Sequence, residues 1–354
     1  MIHLLSLPNV QNTKAFDLDG FNTATLRFSK VLDQLGLDYT LYGSEEHETH
    51  AKELVTCITK AEQKALNPNN FPYQHANIAP ENPLWQVANP RMAEAVKQRK
   101  QPRDIICSIG GGSQKAVSDA NPDLMTVEYN IGYIGNFAPY RVFQSRAWQH
   151  LCYGMQGSHN SPHCFDAVIP GFFDPSEFPQ NTPEDYVVYV GRLVPLKGLK
   201  MLQQACHLAG TKLKIVGHGD PALITTGEYL GPLPEPERNE VMSKAKALIC
   251  PTLYVEPFGC ISPEAQLCGT PVISTDFGGF CETVEQGQTG FRCNLLGEFV
   301  DAISKVETLD RRYVRSRAQT LYSIDAAVES YRRYFNRLDT LWGEGFNTVP
   351  YEVE

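Results

Sequence analysis

Short apolar runs alternate with segments of helical periodicity, and this alternation most restricts how the chain can fold. In the first half, residues 2 to 7 form an apolar run ended by Pro8, a helical pattern over 24 to 35 closes at Gly36, and a second apolar run covers 39 to 42. Short apolar runs bounded by turn residues are typical of buried strands. The order strand, helix, strand predicts the start of a parallel α/β unit.

The second half of the chain begins the same alternation again. A helix ending near residue 209 follows the first strand of this half, and a last helical pattern covers roughly 323 to 342. Two α/β units in series are the simplest account. Further strands are predicted at residues 104–108, 124–130, 186–190, 212–216, 247–250 and 271–274.

The length of the chain also favours two domains. At 354 residues it exceeds the size at which one hydrophobic core keeps growing. Residues 67–90, rich in Pro and Asn, are predicted to be an irregular surface segment, and 170–183 an interdomain linker. We assign 1–169 to a first domain, 170–325 to a second, and 326–354 to a C-terminal helix and tail.

Composition excludes several classes of protein. The net charge of -9 argues against a broad surface for duplex nucleic acid, which requires clustered Lys and Arg. The ten cysteines are scattered singly, without a C-x-x-C pair or a zinc spacing, so we expect free thiols in a reducing, cytoplasmic compartment and no metal site. The N-terminus lacks the basic leader of a signal peptide, and no apolar run reaches the roughly 18 residues of a membrane span.

Two cations follow the first strand of the second half. Arg192 and Lys197 lie in the glycine-flanked loop 191–198, at the carboxyl end of a predicted buried strand. Open α/β sheets bind ligands at that end, and two cations between glycines suit a diphosphate. Taken alone, an ordinary solvated loop is the favoured alternative.

Two shorter patterns are less specific. Residues 217–222 match the dinucleotide fingerprint G-x-G-x-x-A, but Pro221 does not favour the long helix that should follow, so Gly217 is kept as part of a nucleotide-adjacent turn. Residues 17–19 read Asp-Leu-Asp, for which a solvated turn is the favoured interpretation. Gly20 beside them lacks a side chain and so allows close approach of the backbone to a ligand.

Two carboxylates bracket a predicted helix start. Glu256 and Glu264 lie on either side of a Pro-Phe-Gly turn, with Ser262 as the predicted N-cap and Pro263 as the first helical residue. For either carboxylate alone, a surface or capping role is the favoured alternative. Together with the preceding apolar strand, they predict a helix start that faces a phosphate and has a carboxylate at each edge.

These motifs together resemble the retaining GT-B glycosyltransferases of the large family often called family 4, which includes sucrose-phosphate synthase-like and mannosyltransferase enzymes, here of phage or bacterial type. The resemblance covers roughly residues 186 to 294, and the first domain matches only in general shape. The matching segments are Gly191–Gly198, Gly217–Asp220, Tyr229–Gly231, Ala245–Ala247, the E-x7-E motif Glu256–Glu264, Gly269–Ile273, and Gly278-Gly279 with Glu282.

The resemblance implies a GT-B fold, in which two Rossmann-like domains face each other across a cleft and the C-terminal helix returns to the first domain. It implies transfer of a glycosyl group from a nucleotide-diphosphate sugar, UDP-glucose-like, to a hydroxyl acceptor. The transfer would retain anomeric configuration by a same-face mechanism, without an enzyme nucleophile or an obligatory metal or other cofactor.

The resemblance also implies roles for individual residues. Arg192 and Lys197 would hold the donor diphosphate, Glu256 would bind hydroxyls of the donor sugar, and Glu264 would bind the ribose hydroxyls. The remaining donor contacts would come from the amides of Phe258, Gly259 and Cys260, from the turns at Gly217 and at Leu230-Gly231, and from Gly20 on the first domain.

One departure concerns the first domain. Related chains often carry a histidine near the reacting sugar, beyond the fourth strand, whereas this chain reads Gly-Gly-Gly-Ser-Gln at 110–114. Either Ser113 or Gln114 takes over a sugar contact, or the glycines leave room for a larger acceptor. Glu128 is a further candidate for the acceptor side. No catalytic base is assigned.

Three function classes remain open on the sequence: the retaining glycosyltransferase, a catalytically silent nucleotide-sugar binding protein, and an NAD-binding enzyme using residues 217–222. The acceptor is also open, since a surface glycan, a small metabolite and a hydroxymethylated pyrimidine in phage DNA all carry the required hydroxyl. Five basic residues could form a DNA-facing patch on the first domain, although a solvated helix face is the favoured alternative. They are Arg91, Lys97, Arg99, Lys100 and Arg103.

Overall fold

The strands of the chain form two separate parallel sheets, one in each of two units. The computed structural model describes residues 1–16, 20–70, 79–157 and 164–342. Unit 1 comprises Met1–Gln144, Gly157–Ile169 and Ile324–Glu354, and unit 2 comprises Ser145–Gln156 and Pro170–Ser323. The predicted pair of α/β units is therefore present.

Unit 1 is built on a seven-stranded sheet of order β3-β2-β1-β4-β5-β6-β7 with parallel pairing throughout. Both β1 and β2 are buried along their whole length, including the small and polar residues Thr40, Gly43 and Ser44 of β2. The strands are β1 Ile2–Leu5, β2 Tyr39–Ser44, β3 Glu53–Ile58, β4 Ile105–Ser108, β5 Met125–Ile131, β6 Tyr140–Phe143 and β7 Ala167–Val168.

The helices of unit 1 include the last one in the chain. They are α1 Gly20–Leu35, α2 Lys60–Leu66, α3 Pro83–Arg99, α4 Lys115–Asp119 and α12 Ile324–Asp339, which a 3-10 turn extends over Thr340–Trp342. The α12 helix packs along α1, and the ring of Phe28 lies 4.9 Å from that of Tyr331 and 4.1 Å from that of Tyr129 on β5. The prediction that the C-terminal helix returns to the first domain is confirmed.

Unit 2 is built on a six-stranded parallel sheet of order β10-β9-β8-β11-β12-β13. Side chains alternate between its two faces, so that Val188 belongs to one core cluster while Val187 and Tyr189 belong to the other. Both faces are thus covered, as expected for a parallel sheet. The strands are β8 Val187–Val190, β9 Leu213–Val216, β10 Glu228–Gly231, β11 Ala247–Cys250, β12 Val272–Thr275 and β13 Gly290–Cys293.

The remaining helices belong to unit 2, and the loops between them and the strands carry most of the motifs found in the sequence. These helices are α5 Arg146–Met155, α6 Leu199–Leu208, α7 Glu235–Lys244, α8 Ile261–Leu267, α9 Phe280–Thr283, α10 Leu296–Lys305 and α11 Arg311–Tyr322. Within the ranges described above, no helix combines the length and apolar character needed to cross a bilayer.

The predicted irregular segment 67–90 is wrong in its last part. Residues 71–78 lie outside the described residues, but α3 begins at Pro83, with the Asn82 side chain accepting a hydrogen bond from the amide of Leu84 at 2.9 Å. Proline fits the first turn of a helix, and burial of Trp85 stabilises α3 although Pro90 lies inside it. Proline is common both in irregular segments and in the first turn of a helix, and here it marks the start of α3.

Helix α5 joins unit 2 although unit 1 precedes and follows it in the chain. The side chain of Ser145 accepts from the amide of Trp148 at 3.0 Å, and Glu282 accepts from the amides of Arg146 and Ala147, both at 2.9 Å. A carboxylate on the open amides of a helix start is favourable on grounds of both hydrogen bonding and helix dipole. Glu282 therefore fixes α5, a role that its place in the sequence motif did not suggest.

Candidate functional site

The candidate site lies in unit 2, at the carboxyl ends of neighbouring strands. The loops after β8, β9, β11 and β12 carry the sequence motifs, and these strands are adjacent in the order β9-β8-β11-β12. Because parallel strands all end at the same edge of the sheet, the four loops form one surface. This edge is where open α/β sheets bind their ligands.

Gly217 allows the loops after β8 and β9 to pack in close contact. Gly217 has a φ of +149°, and a Cβ there would lie 1.8 Å from the carbonyl oxygen of Gly191. The amide of Leu193 donates to the carbonyl of His218 at 2.7 Å, and the amide of Asp220 donates back to Leu193 at 3.1 Å. A side chain at Gly217 would separate these two loops.

The dinucleotide fingerprint at residues 217–222 does not lead into an α-helix. The side chain of Asp220 instead caps a 3-10 turn at Pro221–Leu223, accepting from the amide of Ala222 at 2.9 Å. The pyrophosphate of a dinucleotide binds at the start of the helix that follows such a fingerprint. The structure thus removes the support for NAD binding at this turn.

Lys197 and Glu256 form a largely buried ion pair at the centre of the site. The Lys197 Nζ lies 2.5 Å from Glu256 Oε2, and the two side chains are 16% and 14% exposed. The ammonium also lies 4.9 Å from the centre of the Tyr254 ring. Burial alone would lower the pKa of Lys197, but the charge of Glu256 and the hydrogen bonds that Lys197 donates to Glu256 and Tyr254 hold that pKa above its ordinary value. Lys197 is therefore a fixed positive charge.

The loop that carries Glu256 rests on two glycines that follow β12. Gly278 has a φ of +65°, and a Cβ there would lie 2.8 Å from the Glu256 nitrogen and 2.9 Å from its oxygen. The amide of Gly279 donates to the carbonyl of Glu256 at 2.8 Å, and a Cβ on Gly279 would lie 2.6 Å from Phe258 Cα. Backbone packs on backbone here, which fixes the position of Glu256.

The predicted cap of α8 is wrong by two residues. The helix begins at Ile261 with Cys260 as its N-cap, so Ser262 is the second helical residue, and its Oγ accepts from Gln266 Nε2 at 3.0 Å. Gly259 has a φ of +76°, a conformation that lets the chain turn into the helix sooner than the Ser-Pro signal suggested. Glu264 remains in the first part of the helix, as its fourth residue.

The turn before α8 carries the predicted amides and lies at the same edge of the sheet. Phe258 and Gly259 are buried, and the ring of Phe258 lies 5.9 Å from the ring of Tyr322 in an edge-to-face contact. Cys260 is exposed at the start of the helix. The structure thus brings Phe258, Gly259 and Cys260 together with Lys197 and Glu256.

A second ion pair holds Glu264. Arg238 Nη2, on α7, lies 3.2 Å from Glu264 Oε2 and 3.8 Å from Glu235 Oε1. All three side chains are at least four-fifths buried. Sequence reasoning missed Arg238, because it belongs to another helix 26 positions earlier and has no local pattern that distinguishes it from a surface cation.

The remaining donor-side candidates lie at the rim of the same surface. Arg192 is exposed and, across the described ranges, forms no ion pair, while its carbonyl accepts from Tyr189 Oη at 2.7 Å. Gly231 has a φ of +77°, its carbonyl accepts from the amide of Gly217 at 3.0 Å, and Leu230 packs on the core beneath it. Tyr229, which belongs to a matching segment but was given no role, donates its hydroxyl to the carbonyl of Gly217 at 2.9 Å.

Two candidates of unit 1 lie in the loop after β4. Gln114 is buried, and its Oε1 accepts from Ser108 Oγ and from the amides of Ile109 and Gly110 at 2.7 to 3.1 Å. Its Nε2 donates to the carbonyl of Ser6 at 2.9 Å. The amide of Gln114 is thus used to shape the glycine loop. Ser113 is also buried, and its carbonyl accepts from Asn89 Nδ2 at 2.6 Å.

Glu128 is fully buried in the middle of β5. Its carboxylate accepts from the Tyr133 hydroxyl at 2.9 Å and from the amides of Phe137 and Ala138 at 2.9 and 3.1 Å. Burial raises the pKa of Glu128 although these hydrogen bonds and the charge of Arg141 oppose the shift. Glu128 therefore organises the loop 133–138.

The last candidates lie at the start of α1. Gly20 is exposed as the first residue of that helix, and a Cβ there would meet no other atom within 4 Å. The Asp-Leu-Asp turn at 17–19 lies outside the described residues. Among the residues whose positions are described, no three His, Cys, Asp or Glu side chains come together in a geometry that could hold a metal ion.

Comparison with known proteins agrees with the position of these motifs. Residues 184–308 match the family model described as Glycosyl transferases group 1. D-inositol 3-phosphate glycosyltransferase of Rhodococcus erythropolis (strain PR4 / NBRC 100887) is 30% identical over 183 residues, which cover 42% of this chain and 41% of that protein. The match thus spans less than half of the length of this curated relative.

Solved structures resemble the chain over nearly its whole length. The crystal structure of AviGT4, a glycosyltransferase involved in avilamycin A biosynthesis, has a TM-score of 0.69 and 17% identity, covering 95% of this chain and 97% of that one. Anabaena HepE, solved in complex with UDP and glucose, has a TM-score of 0.63 and 17% identity, covering 95% and 99%. The predicted fold class, GT-B with two Rossmann-like α/β domains, is confirmed.

Gly278→Ala should destabilise the protein more than Gly287→Ala. Both glycines have a positive φ, +65° and +71°, but a Cβ on Gly287 meets nothing within 4 Å while one on Gly278 meets the backbone of Glu256. We expect each substitution to lower the free energy of unfolding by about 1 kcal/mol through its φ, and Gly278→Ala by a further ~1–3 kcal/mol through overpacking. Urea unfolding of the two variants measures the difference, and equal losses would show that the close approach is not constraining.

The burial of Glu128 should appear in the pH dependence of stability. Its folded-state pKa lies above the ordinary value of 4.5, so between the two values the folded protein keeps a proton that the unfolded chain releases. The free energy of unfolding therefore falls as pH rises through this window, by up to about 1.4 kcal/mol per pH unit. Urea unfolding from pH 4.5 upward should show this slope in the wild type and a smaller one in Glu128→Gln. Parallel curves would contradict the assignment.

Proposed function

We propose that this chain is a retaining glycosyltransferase that moves a glycosyl group from a nucleoside-diphosphate sugar, UDP-glucose-like, to a hydroxyl acceptor. The observation that carries the proposal is the buried Lys197–Glu256 pair at the carboxyl edge of the unit 2 sheet. This pair lies within the segment that matches the group 1 glycosyl transferases. The resemblance of the whole chain to glycosyltransferase structures supports the fold that such an enzyme requires.

Lys197 would stabilise the leaving diphosphate. When the bond between the sugar and the nucleotide breaks, negative charge accumulates on the diphosphate, and a fixed positive group is most effective where water is largely excluded. The raised pKa of Lys197 keeps it charged over the whole physiological range. The exposed guanidinium of Arg192 and the amides before α8 would contribute further positive contacts.

Glu256 would bind hydroxyls of the donor sugar. Its Oε2 accepts from Lys197 Nζ, and a carboxylate only accepts hydrogen bonds. Sugar hydroxyls are the matching donors. A carboxylate used in this way orients the sugar over the diphosphate cation.

The proposed same-face mechanism is compatible with these roles. The departing diphosphate would take the proton of the acceptor hydroxyl while the acceptor oxygen bonds to the anomeric carbon on the face that the diphosphate leaves. No glycosyl-enzyme intermediate is required, so Glu256 and Glu264 do not act as the nucleophile and acid of a glycosidase. This accounts for retention of configuration without a catalytic base.

Uridine is the proposed nucleotide because a structural relative, Anabaena HepE, was solved with UDP and glucose. Glu264, in the first part of α8, would accept from the ribose hydroxyls. The turn at Leu230 and Gly231 would lie against the base.

The charge distribution of unit 1 favours a glycan or small-molecule acceptor over DNA. Four of the five basic residues proposed as a DNA-facing patch are paired with carboxylates at 2.8 Å or less. The pairs are Arg91–Glu62, Arg99–Glu53, Lys100–Asp123 and Arg103–Asp339. Cations that are neutralised within the protein release few counterions on binding a phosphate backbone, so the patch would contribute little affinity for DNA.

Lys197→Met should abolish donor turnover while the protein stays folded. We expect the rate of UDP release from UDP-glucose to fall by about 10²- to 10³-fold, the usual effect of removing one group that stabilises developing charge. Lys200→Met is the matched control, since Lys200 is an exposed cation on α6, and it should stay within twofold of wild type. A rate for Lys197→Met near that of wild type would contradict the proposal. Wild-type protein that binds UDP-glucose without turning it over would indicate a silent binding protein.

Acceptor class can be tested with radiolabelled UDP-glucose and GDP-mannose offered with three kinds of hydroxyl acceptor: oligosaccharides, small polyols, and DNA containing hydroxymethylated pyrimidines. We expect label transfer from UDP-glucose to one of the first two and none to DNA. Transfer to DNA that persists in 0.2 M salt would overturn the acceptor assignment but leave the donor chemistry intact.

A further inference from the structure

We propose that Arg238 is a positioning residue that fixes Glu264 for the ribose of the donor and thereby makes the enzyme selective for ribonucleotides. The inference rests on the proposed function, in which Glu264 accepts from the ribose hydroxyls. Arg238 lies outside the motifs that the sequence analysis found, and its contact with Glu264 joins α7 to α8.

The geometry places one guanidinium between two carboxylates. Arg238 Nη2 lies 3.2 Å from Glu264 Oε2 and 3.8 Å from Glu235 Oε1, one helical turn earlier on α7. The exposed fractions are 13% for Arg238, 9% for Glu264 and 16% for Glu235. The shorter distance identifies Glu264 as the main partner.

Burial explains why Glu264 needs a partner. A carboxylate that has lost most of its hydration stays ionised only when a positive group or several hydrogen bonds compensate it. Arg is suited to this task because its planar guanidinium is always charged and limits the orientations of the carboxylate it contacts. Arg238 therefore compensates the charge of Glu264 and limits its direction.

The orientation of the Glu264 carboxylate matters because both hydroxyls of the ribose must find an acceptor. Two neighbouring hydroxyls donate in fixed directions, and an ionised carboxylate offers acceptors only. Sites built to bond a hydroxyl reject an analogue that lacks it far more strongly than apolar pockets reject a missing methylene. A Glu264 that rotates freely would lose much of this discrimination.

The alternative is that Arg238 only pins α7 to the rest of unit 2. Other contacts already hold that helix, however. Asn239 Nδ2 donates to the carbonyl of Glu177 at 3.0 Å, and the carbonyl of Met242 accepts from Thr270 Oγ1 at 2.8 Å. The carbonyl of Val241 accepts from Tyr186 Oη at 2.7 Å. Loss of the Arg238 side chain should therefore leave α7 in place.

The test is the preference for UDP over 2′,3′-dideoxy-UDP, measured by calorimetry on the full chain. We expect Glu264→Gln to reduce this preference by about tenfold or more. Arg238→Met should reduce this preference to a similar extent. It should weaken the binding of UDP while the Kd of the dideoxy nucleotide stays within about threefold of wild type. Lys244→Met is the matched control, since Lys244 lies on the same helix in an exposed pair with Glu240, and it should leave both constants unchanged.

A purely structural Arg238 predicts a different result. Suppose that Arg238→Met weakens the binding of both nucleotides equally, or of neither, while Glu264→Gln removes the preference for UDP. The inference is then overturned, and the ribose role of Glu264 stands. If Glu264→Gln keeps the full preference, both ribose assignments fail, although loss of donor turnover in Lys197→Met would still support the transferase. Absence of UDP binding by the wild type would contradict the proposed function itself.

Arg238→Lys keeps the test decisive if circular dichroism shows that Arg238→Met is unfolded. Lysine retains the charge but lacks the planar guanidinium, so we expect it to reduce the preference for UDP by at least threefold without loss of the fold. An unchanged preference in a folded Arg238→Lys would overturn the inference.

Discussion

The contact on which the candidate site depends is the ion pair between Lys197 and Glu256. Two charges taken largely out of water are stable only when they are held in good geometry, because their desolvation is expensive. That geometry is supplied by backbone packing. Gly278 and Gly279 let the Glu256 loop lie directly on the chain that follows β12, and Gly198, whose Cβ would fall 2.0 Å from the carbonyl oxygen of Pro251, does the same for the loop of Lys197. Three glycines in two loops thus hold one pair of charges in position.

Much of the fold and part of the site could be predicted from sequence because the relevant signals are local. The apolar run 247–250 predicts a buried strand without reference to the rest of the chain. The spacing of Glu256 and Glu264 and the turn between them likewise predict a helix start. Local signals failed where they competed. The N-cap prediction at Ser262 was wrong because the conformation of Gly259 starts the helix earlier, and the segment before Trp85 was misread because proline serves both helix starts and irregular chain.

The contacts that sequence could not reveal join distant segments. Arg238 and Glu264 approach because α7 and α8 pack together, and nothing in either local sequence names the partner. Glu128 shows the same limitation: its strand could be predicted, but the use of its carboxylate by the hydroxyl of Tyr133 and two amides depends on how loop 133–138 folds back. A carboxylate near a predicted ligand edge is ambiguous until its hydrogen-bond donors are known, and here they come from the protein itself.

Charge pairing separates the groups that maintain the fold from those that remain for a ligand. Arg141 is bound to Asp166 at 2.7 Å, and Arg311 donates to the carbonyls of Ala245 and Ser243. Arg192 differs, since over the described residues it has no carboxylate partner and lies exposed in the same loop as Lys197. Lys197 itself is neutralised by Glu256. On the proposed function, a diphosphate at this edge would be attracted by the charge of Arg192, while the Lys197–Glu256 pair would orient the donor, so the two cations five positions apart would serve different purposes.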